Sequence, residues 1–111
     1  LTAGEQRRDF TYVEDVAEGL LRLAVAESQP GEVVNLATGK LTTVRAFIET
    51  AASILNIPEN KLQFGAIPTR VEEMQHAPVT VDRLRRLTDW TPEPEIAEGI
   101  QLTKNFKYTN F

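Results

Sequence analysis

The sequence contains no cysteine at all, and only one histidine, one methionine and one tryptophan among 111 residues. Without cysteine there is no disulfide framework, no thiolate metal site and no cysteine nucleophile, a composition that fits a reducing compartment such as the cytoplasm. His76 stands alone, so neither a two-imidazole metal site nor a base-and-nucleophile triad can be assembled from it, and in its polar loop it reads as a solvated residue. Long apolar runs are also missing. The most apolar stretch, residues 16–26, is interrupted by Glu18, Gly19 and Arg22, so no membrane span is expected. Nor is there any basic excess: the formal net charge is -4, which gives no field to hold a nucleic-acid backbone. The six glycines, at 4, 19, 31, 39, 65 and 99, never approach a G-x-G-x-x-G or P-loop spacing. The chain therefore carries no phosphate-cradling loop of its own.

What is present suits one ordinary domain, with 41% hydrophobic and 25% charged residues and neither repeats nor low-complexity tracts. Residues 10–13 form a short β-leaning run, and Glu14-Asp15 then read as a helix cap with favourable negative charge. Val13, Val16, Ala17, Leu20, Leu21 and Ala24 recur as a helical stripe, predicted to end near Ser28 ahead of Pro30-Gly31. Residues 33–36 read as a buried strand with Asn35 as its polar interruption. Thr42 or Thr43 is a suitable N-cap for a helix carrying Val44, Phe47, Ile48, Ala51 and Leu55, stopped by Asn56 and Pro58. A third short strand is expected over 62–67, a connecting loop over 69–78, a short helix from Asp82, and a last helix through Ile96, Ile100, Thr103 and Phe106. The expectation is an α/β (α+β-like) lobe of two to three short strands with about four helices.

The remaining chemistry is arginine. Arg7 and Arg8 stand at the mouth of a strand and Arg70 in the long loop. Two guanidinium forks on converging loops suit a diphosphate. The same residues would equally serve as surface ion pairs, Arg8 with Asp9 or Glu14 and Arg70 with Glu72 or Glu73, and such pairs contribute little. Spacing alone favours the surface pairs, since a short acidic chain must put most of its charges on its surface.

The order of motifs brings in a resemblance. Gly4-x-Gln6-x-Arg8-Asp9-Phe10-x-x-Val13-x-Asp15-Val16-Ala17 is similar to the G-x-Q-x-R-D-F-x-x-V-x-D-x-A segment of NAD-dependent nucleotide-sugar epimerases and dehydratases, the extended short-chain dehydrogenase/reductase family. Val34-Asn35-Leu36-Ala37-Thr38-Gly39 resembles the family's Y-N-V-G-x-G strand and turn, and Thr43-Val44 the start of its next helix. Arg70-x-x-Glu73 resembles R-x-G-[DE]. Asp82-Arg83-Leu84 with Trp90-x-Pro92 resembles S-[KR]-x-x-x-x-L-G-W-x-P, and Glu98-Gly99-Ile100 the final E-G-L helix. Asp89 replaces the glycine of L-G-W and Glu72 that of R-x-G-[DE].

The resemblance implies that the chain is the C-terminal, sugar-nucleotide-binding portion of a Rossmann-type enzyme, with Leu1, which is not an initiator methionine, lying downstream of the cofactor-binding domain. It implies a substrate-binding set of Arg8 and Arg70 on the diphosphate, with Gln6 and Glu73 in the same motifs. The implied ligand is a nucleoside diphosphate sugar, oxidised transiently at C4 on the way to epimerisation or 4,6-dehydration. NAD or NADP would be bound mainly by the absent domain and not by this chain, and a homodimer of the parent would form through that domain. The family's catalytic Tyr-x-x-x-Lys is not here, since Tyr12 is followed at the fourth position by Val16. Asn35, Asp15 and Thr43 are read as structural, the last two as helix caps. A stand-alone binding module, or a piece with no function of its own, are the alternatives.

Overall fold

A computed structural model describes residues 1–70, 76–93 and 95–106. Its elements run β1 (Arg7–Arg8), α1 (Val13–Val25), β2 (Thr42–Thr43), α2 (Val44–Ile54), a 3-10 turn (Glu59–Lys61), α3 (Asp82–Thr88) and α4 (Ile96–Asn105). β1 and β2 form a two-stranded sheet. The α/β expectation of four helices with short strands holds, and the residues divide into two compact units. Unit 1 takes the described residues of Leu1–Gln6, Thr43–Gln75 and Glu95–Phe111, and unit 2 those of Arg7–Thr42 and His76–Pro94.

Unit 1 is organised by the start of α2. The first amides of a helix have no partner within it and must find one elsewhere. Here the Val44 and Arg45 amides donate to the Gln6 and Gly4 carbonyls, each at 2.9 Å, and the Ala46 amide donates to Thr43 Oγ1 at 3.1 Å. Thr43 is thus the N-cap that its position before the apolar stripe suggested. Gly4 makes this docking possible, since a Cβ there would lie 2.9 Å from the Arg45 backbone nitrogen. Arg45 extends the join: its Nε donates to the Ala3 carbonyl at 3.1 Å and its guanidinium lies 4.2 Å from the centre of the Phe64 ring. At the other end, Asn56 adopts φ +57, which ends the helix as expected, and Lys104 of α4 donates to the Ile54 carbonyl at 3.1 Å. α4 packs on α2.

In unit 2, α1 packs against α3, and Leu84 of α3 is completely buried. Most of the stripe seen in the sequence is the open face of α1: Val13, Leu20 and Leu21 are exposed, as is the neighbouring Val25, to 84%, while Val16 is half-buried. The helix packs instead through Gly19, whose missing side chain lets Leu36 and Trp90 approach. Arg22 of the same helix lies over Trp90, 5.4 Å from the ring centre, and pairs with Glu18 at 2.8 Å. After α3, Asp89 turns the chain with φ +52, the left-handed conformation that a glycine would otherwise supply.

Several local expectations are corrected. The strands expected over 10–13, 33–36 and 62–67 are not strands; the two short ones lie at Arg7–Arg8 and Thr42–Thr43. A strand is defined by a neighbour that completes its hydrogen bonds, and residues 33–36 have no ladder partner among the described residues. α1 ends at Val25 rather than near Ser28, its N-cap is Tyr12, and Glu14 and Asp15 sit within its first turn. The N-cap of α3 is Val81, with Asp82 inside. Asn35 is exposed rather than buried, although its side-chain amide does find a loop backbone, donating to the Thr80 carbonyl at 3.2 Å.

Two arginines of α3 hold this region. Arg83 Nη1 donates to the Val33 carbonyl at 2.8 Å, and Arg86 pairs with Glu32. The Arg86 hydrogen bond keeps the Glu32 carboxyl below its ordinary value of 4.5. A carboxylate held low in the folded state stabilises it above the unfolded value and loses that contribution as the pH falls through the depressed one. Glu32→Gln should therefore lower stability modestly at neutral pH and lose its difference from the parent as the pH falls below about 4.5 in a urea-denaturation series, which flattens the acid limb. An unaltered acid limb would refute the role.

Candidate functional site

Arg8 sits on β1, half-buried, and its Nη1 donates to the Arg7 carbonyl at 2.7 Å. The next residue carries four hydrogen bonds on its side chain. Asp9 Oδ1 accepts from the Thr38 amide at 3.0 Å, from Thr38 Oγ1 at 2.8 Å and from Thr11 Oγ1 at 3.3 Å, while Oδ2 accepts from the Gly39 amide at 2.8 Å. A carboxylate has about four acceptor positions, so these donors fill it with neutral partners. Gly39 reaches this geometry with φ +81 and its α-carbon facing Val81. The turn after residues 33–36 and the strand bearing Arg8 are consequently fastened to each other. Asp9, Thr38 and Gly39 are the site residues that attention to arginine missed. In the sequence Asp9 reads as an ion-pair partner of Arg8, and nothing in linear order joins it to a turn 30 residues on.

The other candidates fall elsewhere. Gln6 belongs to unit 1, where its side-chain amide donates to Thr2 Oγ1 at 3.4 Å and its carbonyl takes the Val44 amide. Arg70 is exposed and also in unit 1. Glu73, like its neighbour Glu72, lies outside the described residues. His76 is exposed, as its polar loop implied.

These residues do not fit a dinucleotide cofactor. A pyrophosphate on a helix start needs free amides and no negative charge, yet the first three amides of α2 are taken, and α1 begins with Glu14 and Asp15. At the start of α1, burial, followed by the charge and hydrogen bond of Glu14, pushes the Tyr12 phenol above the usual 10.0.

Among known proteins, residues 1–37 match the model of the NAD dependent epimerase/dehydratase family. A GDP-6-deoxy-D-mannose reductase of Pseudomonas aeruginosa is 32% identical over 98 residues, which cover 85% of this chain and 30% of that protein. The solved UDP-glucose 4-epimerase of Thermotoga maritima, with UDP-glucose, superposes with a TM-score of 0.76 at 26% identity over 90% of this chain and 31% of the other. The solved RMD of P. aeruginosa, complexed with NADPH, also gives 0.76, at 28% identity over 91% and 32%. These matches make the chain similar to part of an NAD-dependent nucleotide-sugar epimerase/dehydratase. The chain spans about a third of the length of the curated relatives it matches. Its fold is that of part of a Rossmann-type extended short-chain dehydrogenase/reductase.

Proposed function

We propose that this chain is the sugar-nucleotide-binding portion of a larger NAD(P)-dependent epimerase or dehydratase, and that Arg8 takes the diphosphate of its substrate. The observation that carries the reading is the fastening of Arg8: a half-buried residue on a strand fixed by its neighbour's hydrogen bonds. A bidentate fork needs such a fixed base to meet phosphate oxygens. The relatives support the ligand class. Their names include a GDP-sugar reductase and a UDP-glucose epimerase, which differ in base and sugar and share the diphosphate. Arg70 is the second guanidinium of this reading, with Gln6 and Glu73 in the same motifs.

The open apolar stripe of α1 supports the view that the functional unit is larger than 111 residues, because a helix keeps such a stripe where something else covers it. In that unit the chain's contribution is binding energy from the unreactive nucleotide, which orients the sugar for chemistry performed elsewhere. The test is Arg8→Ala in the full-length protein. A charge-assisted contact contributes about 1.5–3 kcal/mol, so UDP or GDP affinity by titration calorimetry should fall roughly ten- to hundredfold, with NADPH affinity unchanged. Undiminished affinity for both nucleotides would remove Arg8 from the site.

A further inference from the structure

We infer that Asp9 is a positioning residue for diphosphate binding, acting on Arg8 through the Thr38–Gly39 turn; this rests on Arg8 being the diphosphate ligand. An acidic side chain next to a phosphate-binding arginine ordinarily works against binding, by attracting the same guanidinium and repelling the anion. Here the Asp9 oxygens are occupied by two backbone amides and two hydroxyls from residues 11, 38 and 39. The carboxylate's charge is spread over neutral donors, and its hydrogen bonds hold the backbone next to Arg8 against a turn 30 residues away. Gly39 makes the turn possible, because its φ of +81 brings its amide within 2.8 Å of Oδ2. Asparagine keeps the shape of Asp9 but replaces one acceptor oxygen with an NH2 donor. That group would face either the Gly39 amide or the cluster of Thr11 and Thr38.

The experiment is a double-mutant cycle in the full-length protein, with UDP and GDP as probes and NADPH affinity as the control. Asp9→Asn should weaken nucleotide diphosphate binding about five- to tenfold in the wild-type background and have no further effect in Arg8→Ala, with NADPH affinity constant throughout. Should Asp9→Asn fail to fold, Thr38→Val removes one hydroxyl donor while keeping both turn amides. It should give a two- to threefold loss with the same dependence on Arg8. An equal loss in both backgrounds, or a loss of NADPH binding in parallel, would mean that Asp9 is only structural and overturns the inference. If Arg8→Ala weakens binding while Asp9→Asn and Thr38→Val do not, the inference falls and Arg8 stands as ligand. If Arg8→Ala itself has no effect, the underlying reading fails and the inference fails with it.

Discussion

Gly4→Ala should cost about 3 kcal/mol or more and strip protection from the Val44 and Arg45 amides in hydrogen exchange. Two independent effects add at this position. Its φ of +74 lies in the left-handed region, which disfavours any residue with a Cβ by roughly 1–2 kcal/mol. The added carbon would then meet the Arg45 nitrogen at 2.9 Å, its Cβ at 2.9 Å and its Cα at 3.0 Å. The obstacle is mostly helix backbone, so a rotamer change cannot relieve it. Residues 3–6 would have to lift away, releasing the bonds from the Val44 and Arg45 amides and leaving α2 with unpartnered donors, each costing about 1–3 kcal/mol if kept from water. Exchange rates at those two amides that match the parent's would refute the account.

The second large effect is expected for Gly19→Val. Replacing a glycine inside an exposed helix ordinarily helps, by roughly 0.5–1 kcal/mol for alanine. Packing reverses the sign here, because the first carbon alone would lie 2.4 Å from Leu36 Cδ1 and 3.1 Å from the Trp90 ring. Leu36 can turn aside for a single methyl group. It cannot do so for valine's two further carbons while Trp90 is held beneath Arg22. A loss of about 3 kcal/mol follows from overpacking, and a shift in the emission of Trp90, the sole tryptophan, should accompany it. Alanine, as the milder member of the pair, should fall between wild type and valine in a denaturant series. Valine at or above wild-type stability would mean that α1 does not pack on this face.

These two glycines also mark how far the sequence could be read. Features set by a few neighbouring residues were legible: the Thr43 cap, the stop at Asn56, the left-handed turn at Asp89 and the helical period of α1. The burial of that period was not. Hydrophobic recurrence identifies a stripe, but α1 packs through the one residue on it with no side chain, and periodicity gives glycine no weight. The strands failed for a different reason. Residues 33–36 have strand composition, yet composition cannot supply the partner that makes a strand. In the candidate site, arginine was conspicuous because its chemistry toward phosphate is familiar. Asp9 was overlooked because its four hydrogen bonds reach mainly residues 38 and 39, a pairing invisible in linear order.

Residues 33–36 carry a practical consequence for handling the protein. Arg83 engages the Val33 carbonyl on one side, and Val33 itself is 72% exposed near the open stripe's own unit. Together with the open stripe of α1 in the same unit, Val33 leaves exposed apolar surface on which molecules can associate. Preparations limited to these 111 residues should therefore self-associate, with light scattering that rises more steeply than concentration. A lysine at Val33 is the simplest gatekeeper against that association.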